Sequence, residues 1–116
     1  MAIYFTIKEM TKSRTAELYH IDNTPTEEVI GNLKKVMYIL DMVRIHIGKP
    51  ILINSGYRCK KINEMVGGVQ NSMHTKGLAA DFRTREKEDI NIMFEFLKKN
   101  QKEFKIIELI KHKTFI

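Results

Sequence analysis

The residues best suited to chemistry in this chain are an imidazole and a carboxylate, His74 and Asp81, which lie within the stretch of residues 71–82. Neutral imidazole nitrogen and carboxylate oxygen are both good ligands for zinc. A catalytic zinc typically takes three protein ligands and leaves a fourth position to water. The pair therefore supplies two ligands of such a site, and a structural His–Asp pair joined by a hydrogen bond is the alternative.

The sequence around this pair predicts a loop followed by a strand. Residues 71–77 are mostly polar and end in a glycine, whereas residues 78–82 are apolar except for Asp81, as in a short buried strand. We therefore expect His74 on the loop and Asp81 on the strand. A turn at Gly77 would bring the two side chains to one point.

The longest predicted element is a helix over residues 24–47. Thr24 is the expected N-cap, Pro25 the first helical residue and Glu27 the partner that closes a capping box. Gly48 is expected to end the helix. Apolar residues at spacings of three and four predict its buried face, namely Val29, Leu33, Val36, Leu40, Val43 and Ile47.

Shorter elements complete the predicted fold. They are helical turns near residues 8–10 and 13–18, a strand at 51–53, a helix at 60–66, a helix at 86–100 and a last strand at 104–110. A chain of 116 residues is long enough for one modest core. The expectation is a single α+β domain over residues 1–116, with a small antiparallel sheet backed by helices.

Four motifs, in order, carry a family resemblance: Ser-Gly-Tyr-Arg at residues 55–58, Asn63, Val-Gly-Gly at 66–68, and Ser-x-His-x-x-Gly-x-Ala-x-Asp at 72–81. Together they resemble the M15 family of zinc peptidases, and within it the D-Ala-D-Ala carboxypeptidase-like branch of phage and bacterial wall enzymes. The segment Ile-Asp-Asn-x-Pro at residues 21–25 extends the resemblance toward the N-terminus.

The resemblance implies an M15 fold of the hedgehog and D-Ala-D-Ala peptidase type, with Zn²⁺ as cofactor and His74 and Asp81 as metal ligands. It also implies hydrolysis of peptide bonds in peptidoglycan stem or cross-link peptides, by D,D-carboxypeptidase or endopeptidase action. The alternative is a non-catalytic relative that binds cell wall or a protein and has lost its metal site.

Arg58 follows the predicted strand at 51–53, where a guanidinium could bind a carboxylate in bidentate fashion or stabilise an oxyanion. A surface ion pair is the alternative. The resemblance implies a catalytic and substrate-binding role for Arg58 and assigns Tyr57 and Ser72 to substrate binding. Ser72 also precedes His74 by two positions and could hold the loop through a hydrogen bond to the backbone.

The C-terminal residues depart from the family pattern. In M15 relatives an aromatic residue, an aliphatic residue and the third zinc-binding histidine follow one another, and here Phe115 and Ile116 occupy the first two places. The third ligand is therefore expected beyond Ile116, at a different residue, or not at all. His112 is interpreted as an acid/base group, a substitute third ligand or an ordinary polar residue, and Glu108 is an alternative proton acceptor.

Composition narrows the class of partner. The net charge of +6 and the pI near 9.5 favour anionic partners, such as a cell wall that bears acidic polymers, although a generic basic surface gives the same numbers. Scattered lysines without an aromatic platform argue against nucleic acid. The sequence has no apolar run of roughly 18 residues and no visible signal peptide, so no membrane contact is expected. The protein is expected to be a monomer whose partners are peptidoglycan peptides. Cys59 is the single cysteine of the sequence, so an intramolecular disulfide is excluded.

Overall fold

The computed structural model describes residues 3–112 and residue 116. Within these residues the chain is α+β, and its elements follow one another as α1 (Ile7–Thr11), α2 (Arg14–Tyr19), α3 (Glu27–Ile47), β1 (Leu52–Ser55), α4 (Lys60–Met65), a 3-10 helix (Met73–Lys76), β2 (Asp81–Arg83) and α5 (Asp89–Lys99). No helix in this described part is long and apolar enough to cross a membrane.

Helix α3 confirms the longest predicted element but corrects its start. The N-cap is Thr26, whose hydroxyl accepts from the Val29 amide at 3.2 Å. Thr24 cannot take that role because its amide and hydroxyl both donate to the Asp22 carboxylate. The two hydrogen bonds also lower the pKa of Asp22, that from the Thr24 hydroxyl more than that from its amide. The end is as predicted, since Gly48 adopts a left-handed conformation with φ of 68°.

The sheet is small and antiparallel, as predicted. Strand β1 pairs with β2 in the register Leu52 to Arg83, Ile53 to Phe82 and Ser55 to Asp81, with an irregularity between Ile53 and Ser55. Strand β2 starts at Asp81, whereas the apolar run had predicted a buried strand from residue 78. Leu78 is in fact 41% exposed, because the backbone between the 3-10 helix and β2 is irregular there.

The core lies between α3, α5 and the sheet. Helices α3 and α5 pack against each other, and α1 contacts both α3 and β1. The buried side chains include most of the apolar stripe predicted for α3, together with residues of α5, one residue of β2 and the residue that precedes β1: Leu33, Leu40, Val43, Ile51, Phe82, Ile90, Met93 and Leu97. The sheet is thus backed by helices that were predicted from apolar periodicity.

The predicted last strand at 104–110 is wrong. Residues 101–105 instead continue from α5 as turns, in which the Phe104 amide donates to the Asn100 carbonyl and the Ile106 amide to the Gln101 carbonyl. Lys105 has φ of 58°, which interrupts any extended conformation. The described residues that follow, 106–112, form neither helix nor strand. The apolar residues of this segment predict a strand because their pattern does not reveal the left-handed turn at Lys105.

Candidate metal and substrate site

His74 lies on the 3-10 helix, whose two ends are fixed by its own sequence. Ser72 is the N-cap, and its hydroxyl accepts from the His74 amide at 3.2 Å. Gly77 ends the helix with φ of 73°, and a Cβ at Gly77 would lie 2.8 Å from Val29 of α3. The loop therefore needs glycine at this position both for its turn and for its close approach to α3.

The imidazole of His74 has a defined orientation. Its Nδ1 lies 2.7 Å from the carbonyl oxygen of Gly56, which can only accept a hydrogen bond. Nδ1 therefore carries a proton and donates it, so that in the neutral ring Nε2 keeps its lone pair. Metal-binding histidines are typically held in this way, with the distant ring nitrogen bonded to a carbonyl or carboxylate.

The Nε2 atom of His74 faces Asp81. The distance from Nε2 to Oδ2 is 3.6 Å, and the two side chains are 13% and 33% exposed. A separation of this size is too long for a good hydrogen bond. It is close to the separation of about 3.4 Å between two ligands that bind one tetrahedral zinc at bond lengths of about 2.0–2.1 Å. The chemistry and spacing of these two side chains therefore fit a zinc ion.

A third ligand does not join the pair within the described residues, in which no group of three His, Cys, Asp or Glu side chains could hold a metal. The backbone nearby, however, marks a position opposite Asp81. Phe82 and Ile116 exchange both backbone hydrogen bonds, at 2.8 and 2.9 Å, as a pair does in an antiparallel ladder. Continuation of this ladder would set the residue after Ile116 directly opposite Asp81, with both side chains on one face.

Arg58 adjoins the His74 loop. Its amide donates to the His74 carbonyl at 3.1 Å, so the residues that follow β1 contact His74 twice, at Gly56 and at Arg58. The guanidinium lines a pocket beside β1, and its Nε is buried without a hydrogen-bond partner among the described residues. A buried charged donor without a partner is costly, which is expected where a ligand supplies the partner.

Tyr57 and Ser72 are the other residues predicted to bind substrate, and both are largely buried. Tyr57 is 8% exposed and belongs to the core, and burial raises the pKa of its hydroxyl, with smaller contributions from Cys59 and Asp22. Ser72 is 7% exposed, and its observed contact is the backbone hydrogen bond to His74. For Ser72 this contact is the loop-holding interaction that the sequence suggested.

Glu108 and His112, the two candidates for proton transfer, lie in the irregular segment of residues 106–112, and both are exposed. Phe115, the predicted aromatic of the family pattern, lies outside the described residues. The acid/base half of the predicted site therefore belongs to a part of the chain that has no regular structure of its own, unlike the half that contains His74 and Asp81.

Asn23 is a positioning residue whose role the sequence did not reveal. Its amide nitrogen donates to the carbonyls of Thr11 and Tyr57, at 2.8 and 3.2 Å, and its amide oxygen accepts from the Cys59 amide at 2.8 Å. It therefore joins the N-terminal segment to the residues on either side of Arg58. The signal was present, because Asn23 belongs to the Ile-Asp-Asn-x-Pro segment, but no local pattern predicts what its side chain contacts.

Asn63 supports the turn that leads to the His74 loop. Its side-chain amide donates to the Val69 carbonyl at 2.9 Å, and the side chain is 3% exposed. A Cβ at Gly68 would lie 2.1 Å from the Asn63 amide oxygen, so a glycine at position 68 makes room for the asparagine. Two of the motifs that carry the family resemblance, Asn63 and the glycine pair, therefore pack against each other.

Comparison with known proteins agrees with this arrangement. A model of the Peptidase M15 family matches residues 3–116, which is almost the whole chain. No curated protein and no solved structure matches the chain. The fold and the pair formed by His74 and Asp81 are compatible with a peptidase domain of this class. The chain belongs to the Peptidase M15 family.

Proposed function

We propose that the protein is a zinc-dependent metallopeptidase that cleaves peptide bonds in peptidoglycan stem or cross-link peptides, as a D,D-carboxypeptidase or an endopeptidase. Membership of the Peptidase M15 family supports peptidase activity. The observation that carries the zinc assignment is the pairing of His74 Nε2 with Asp81 Oδ2 at 3.6 Å, with Nδ1 of the same ring held by the Gly56 carbonyl.

Two features explain why this pair suits a metal. The hydrogen bond to Gly56 leaves a lone pair on Nε2, which faces a carboxylate that also offers lone pairs. Such an arrangement is stabilised by a cation between the two atoms. The proposed position of the third ligand is directly after Ile116, because the pairing of Ile116 with Phe82 would place a ligand there opposite Asp81 and on the same face.

The proposed roles of the remaining residues follow from their chemistry. When bound, zinc would polarise the scissile carbonyl and lower the pKa of a coordinated water to about 7. Arg58 would bind a substrate carboxylate or stabilise the developing oxyanion. His112 or Glu108 would accept a proton from the attacking water and deliver it to the leaving amine, once the segment that contains them approaches the substrate.

A non-catalytic relative that binds cell wall or a protein is the second candidate. The observation that favours it is the lack of a third metal ligand near His74 and Asp81 within residues 3–112 and 116. Such a relative would keep the scaffold and the basic surface without turnover.

The test is to measure zinc stoichiometry and affinity by titration for the protein, for His74→Ala, for His112→Ala and for a version extended by one histidine after Ile116. We expect one zinc per chain and a loss on His74→Ala of at least the roughly 10–100-fold that removal of a supporting residue costs. The control is His46→Ala, because His46 is an exposed histidine stacked on Phe96 and far from the candidate ligands in sequence.

The results of these titrations distinguish the hypotheses for the third ligand and for the loss of the metal site. Tighter binding after the histidine extension, with His112→Ala unchanged, supports a third ligand beyond Ile116 and leaves His112 for proton transfer. Loss of binding in His112→Ala makes His112 the third ligand. Absence of specific zinc binding in every version, together with no cleavage of a stem pentapeptide, would reject the metallopeptidase and favour the non-catalytic relative.

A further inference from the structure

A pocket of about 250 Å³ lies on the side of Arg58 that faces the N-terminal segment. We call it the basic pocket, and it is lined by Lys12, Ser13, Arg14, Thr15, Asn54, Ser55, Arg58, Ile62 and Val66. Three of these side chains are cationic, four are neutral and polar, and two are apolar. The lining contains no carboxylate, although acidic residues are nearly as common as basic ones elsewhere in the chain.

The cations that line the basic pocket, Lys12, Arg14 and Arg58, form no ion pair in the part of the chain that the structure describes, residues 3–112 and 116. The Nε atom of Arg58 is also buried without a hydrogen-bond partner in the same residues. Cations gathered in a concave site with low-dielectric walls focus a positive potential, which raises the local concentration of anions. The basic pocket therefore favours an anionic ligand.

The backbone just before Lys12 is held beside the residues around Arg58 by two hydrogen bonds. The Met10 carbonyl accepts from the Tyr57 amide at 2.7 Å, and the Thr11 carbonyl accepts from the Asn23 side chain at 2.8 Å. The segment that carries Lys12 and Arg14 is thus attached to the residues that carry Arg58, although their side chains reach solvent. A backbone that is already held in place lowers the conformational entropy that this segment loses when its side chains bind an anion.

The basic pocket and the candidate metal site share Arg58. The backbone amide of Arg58 donates to the His74 carbonyl, and Arg58 is one of the residues that line the basic pocket. A peptide that is bound at His74 and Asp81 and also reaches the Arg58 side chain would therefore adjoin the pocket that Lys12 and Arg14 line. A single carboxylate could satisfy Arg58 but would leave the two other cations without a partner.

We propose that Lys12 and Arg14 form a subsite for a second acidic group of the substrate, so that the enzyme prefers peptides carrying a carboxylate in addition to the one that Arg58 binds. The inference rests on the proposed function, because it takes the ligand of the basic pocket to be part of the peptide bound at His74 and Asp81. Lys12 and Arg14 are specificity residues in this assignment and take no part in the proton transfers.

The test compares the affinities of short peptides for the metal-free protein and for its variants. Because no metal is present, the result does not depend on turnover. Short peptides are prepared in pairs that differ only by glutamate or glutamine, with this residue placed in turn at each of the three positions before the C-terminal residue. Affinities are measured by calorimetry at about 0.15 M salt, where long-range attraction between exposed charges is largely screened. We expect glutamate at one position to bind on the order of three- to tenfold more tightly than glutamine, as for charge-assisted contacts at a partly exposed site.

The variants decide where this preference arises. The double variant Lys12→Gln/Arg14→Gln should bind both peptides of a pair equally. The control Lys34→Gln/Lys35→Gln removes the same charge from exposed positions on α3 and should keep the full preference. Both pairs of side chains are exposed, so neither double variant is expected to unfold the protein.

Three results would overturn the proposal: no glutamate preference at any position, a preference that survives in Lys12→Gln/Arg14→Gln, or an equal loss in Lys34→Gln/Lys35→Gln. Inorganic phosphate is titrated as a separate probe, and binding of phosphate that depends on Lys12 and Arg14 without any peptide preference would likewise reject a substrate subsite. The zinc titrations of His74→Ala are independent of these measurements, so failure of the subsite and failure of the metallopeptidase assignment are distinguishable.

Discussion

The two halves of the candidate site differ in how the fold holds them. The half that contains His74 is fixed by the Gly56 carbonyl, the Arg58 amide and the Ser72 cap. The half that contains Glu108 and His112 lies in residues 106–112, which are irregular and in which Ile107 is 86% exposed. Hydrogen bonds at the ends of the 3-10 helix and next to β1 hold the half that contains His74. The half that contains Glu108 and His112 follows the turns after α5 and belongs to no helix or strand.

Metal ligands and proton-transfer groups differ in how firmly the fold must hold them. Metal ligands need fixed orientation, which the hydrogen bond from His74 Nδ1 to Gly56 provides. Proton-transfer groups can approach with the substrate, since catalytic hydrogen bonds often tighten only in the complex. The C-terminal residues meet the first half at Ile116, whose backbone pairs with Phe82 beside Asp81. The following predictions test this contrast.

The largest effect is expected for Gly56→Ala. A Cβ at Gly56 would lie 2.2 Å from the carbonyl oxygen of Met10, and neither backbone can move without breaking the hydrogen bond from Tyr57 to Met10. We expect the variant to lose about 3 kcal/mol of unfolding free energy, measured by urea denaturation.

Gly31→Ala is the matched control for Gly56→Ala. Gly31 lies inside α3, and a Cβ there would meet nothing within 4 Å. Replacing glycine in a helix interior should raise the unfolding free energy by about 0.5–1 kcal/mol. Equal stability of the two variants would show that the contact between Gly56 and Met10 does not hold the site.

A smaller loss is expected for Ile116→Ala. Ile116 is 5% exposed, packs in the core and exchanges two backbone hydrogen bonds with Phe82. Truncation of a buried isoleucine typically costs about 2–5 kcal/mol, and we expect a value near the lower limit, about 2 kcal/mol, because the irregular residues 106–112 leave their surroundings room to relax. The measurement is urea denaturation, combined with hydrogen exchange of the Phe82 amide, which should become faster. A wild-type exchange rate at Phe82 would contradict the pairing.

Local sequence patterns were sufficient for most of the fold. The apolar stripe of α3, the stop at Gly48 and the placement of Asp81 on a strand after a turn at Gly77 are all confirmed. Each depends on neighbours in sequence, such as helical periodicity or a left-handed glycine. The errors arose where a non-local or competing contact decides the structure. Thr24 lost its capping role to a hydrogen bond with Asp22, and a left-handed Lys105 divided the predicted last strand.

The candidate site was predictable as a set of residues but not as an arrangement. Residue types and the family resemblance selected His74, Asp81 and Arg58, which the fold brings together through β1 and the 3-10 helix. The sequence does not predict the hydrogen bond that orients the imidazole toward the Gly56 carbonyl, because a backbone carbonyl leaves no pattern in the sequence. It does not predict the contacts of the Asn23 side chain with Thr11, Tyr57 and Cys59 either, because most of these residues are distant in sequence. The roles assigned to Tyr57, Ser72, Glu108 and His112 stay predictions.

Asn23→Ala should weaken the attachment of the N-terminal segment. The change removes three hydrogen bonds and leaves the Cys59 amide without its observed partner. We expect a loss of about 1–2 kcal/mol in unfolding free energy, because each partly buried bond contributes roughly 0.5–1.5 kcal/mol and water replaces some of them. Asn32→Ala is the control, since Asn32 donates one hydrogen bond, to the Lys76 carbonyl. If Asn23→Ala loses no more unfolding free energy than Asn32→Ala, the hydrogen bonds of Asn23 do not hold the N-terminal segment in place.

Asp89 tests a buried contact at the start of α5. Burial raises the pKa of Asp89, but hydrogen bonds from Lys49 and Thr84 outweigh it and leave the pKa below its ordinary value. The hydrogen bond to Asp89 raises the pKa of Lys49. Asp89 therefore stabilises the fold fully above its unfolded pKa of about 3.9 and loses this effect as the pH falls through its lower folded pKa. Lys49 contributes fully below about 10.4 and loses its contribution as the pH rises through its higher folded pKa.

We therefore expect Asp89→Asn to lower the melting temperature by a few degrees between about pH 5 and pH 9, and the difference from the unmodified protein to shrink as the pH falls below the unfolded pKa of about 3.9 and through the lower folded pKa. Glu86→Gln is the control, because Glu86 is exposed and its carboxylate lies 3.9 Å from the Lys49 ammonium. A difference that is constant from pH 2 to pH 9 would show that the charge of Asp89 is not what stabilises the start of α5.

The smallest effect is expected for Ile107→Ala, in the middle of the irregular segment. A large apolar side chain that is 86% exposed contributes little buried area, so the unfolding free energy should change by less than about 0.5 kcal/mol. The same substitution at Ile116 is the matched comparison, since both are isoleucines within ten positions of each other and only one is buried. A loss at Ile107 as large as that at Ile116 would mean that residues 106–112 pack as tightly as the His74 loop. Glu108 and His112 would then be held in place before substrate binds, and the contrast between the two halves of the site would disappear.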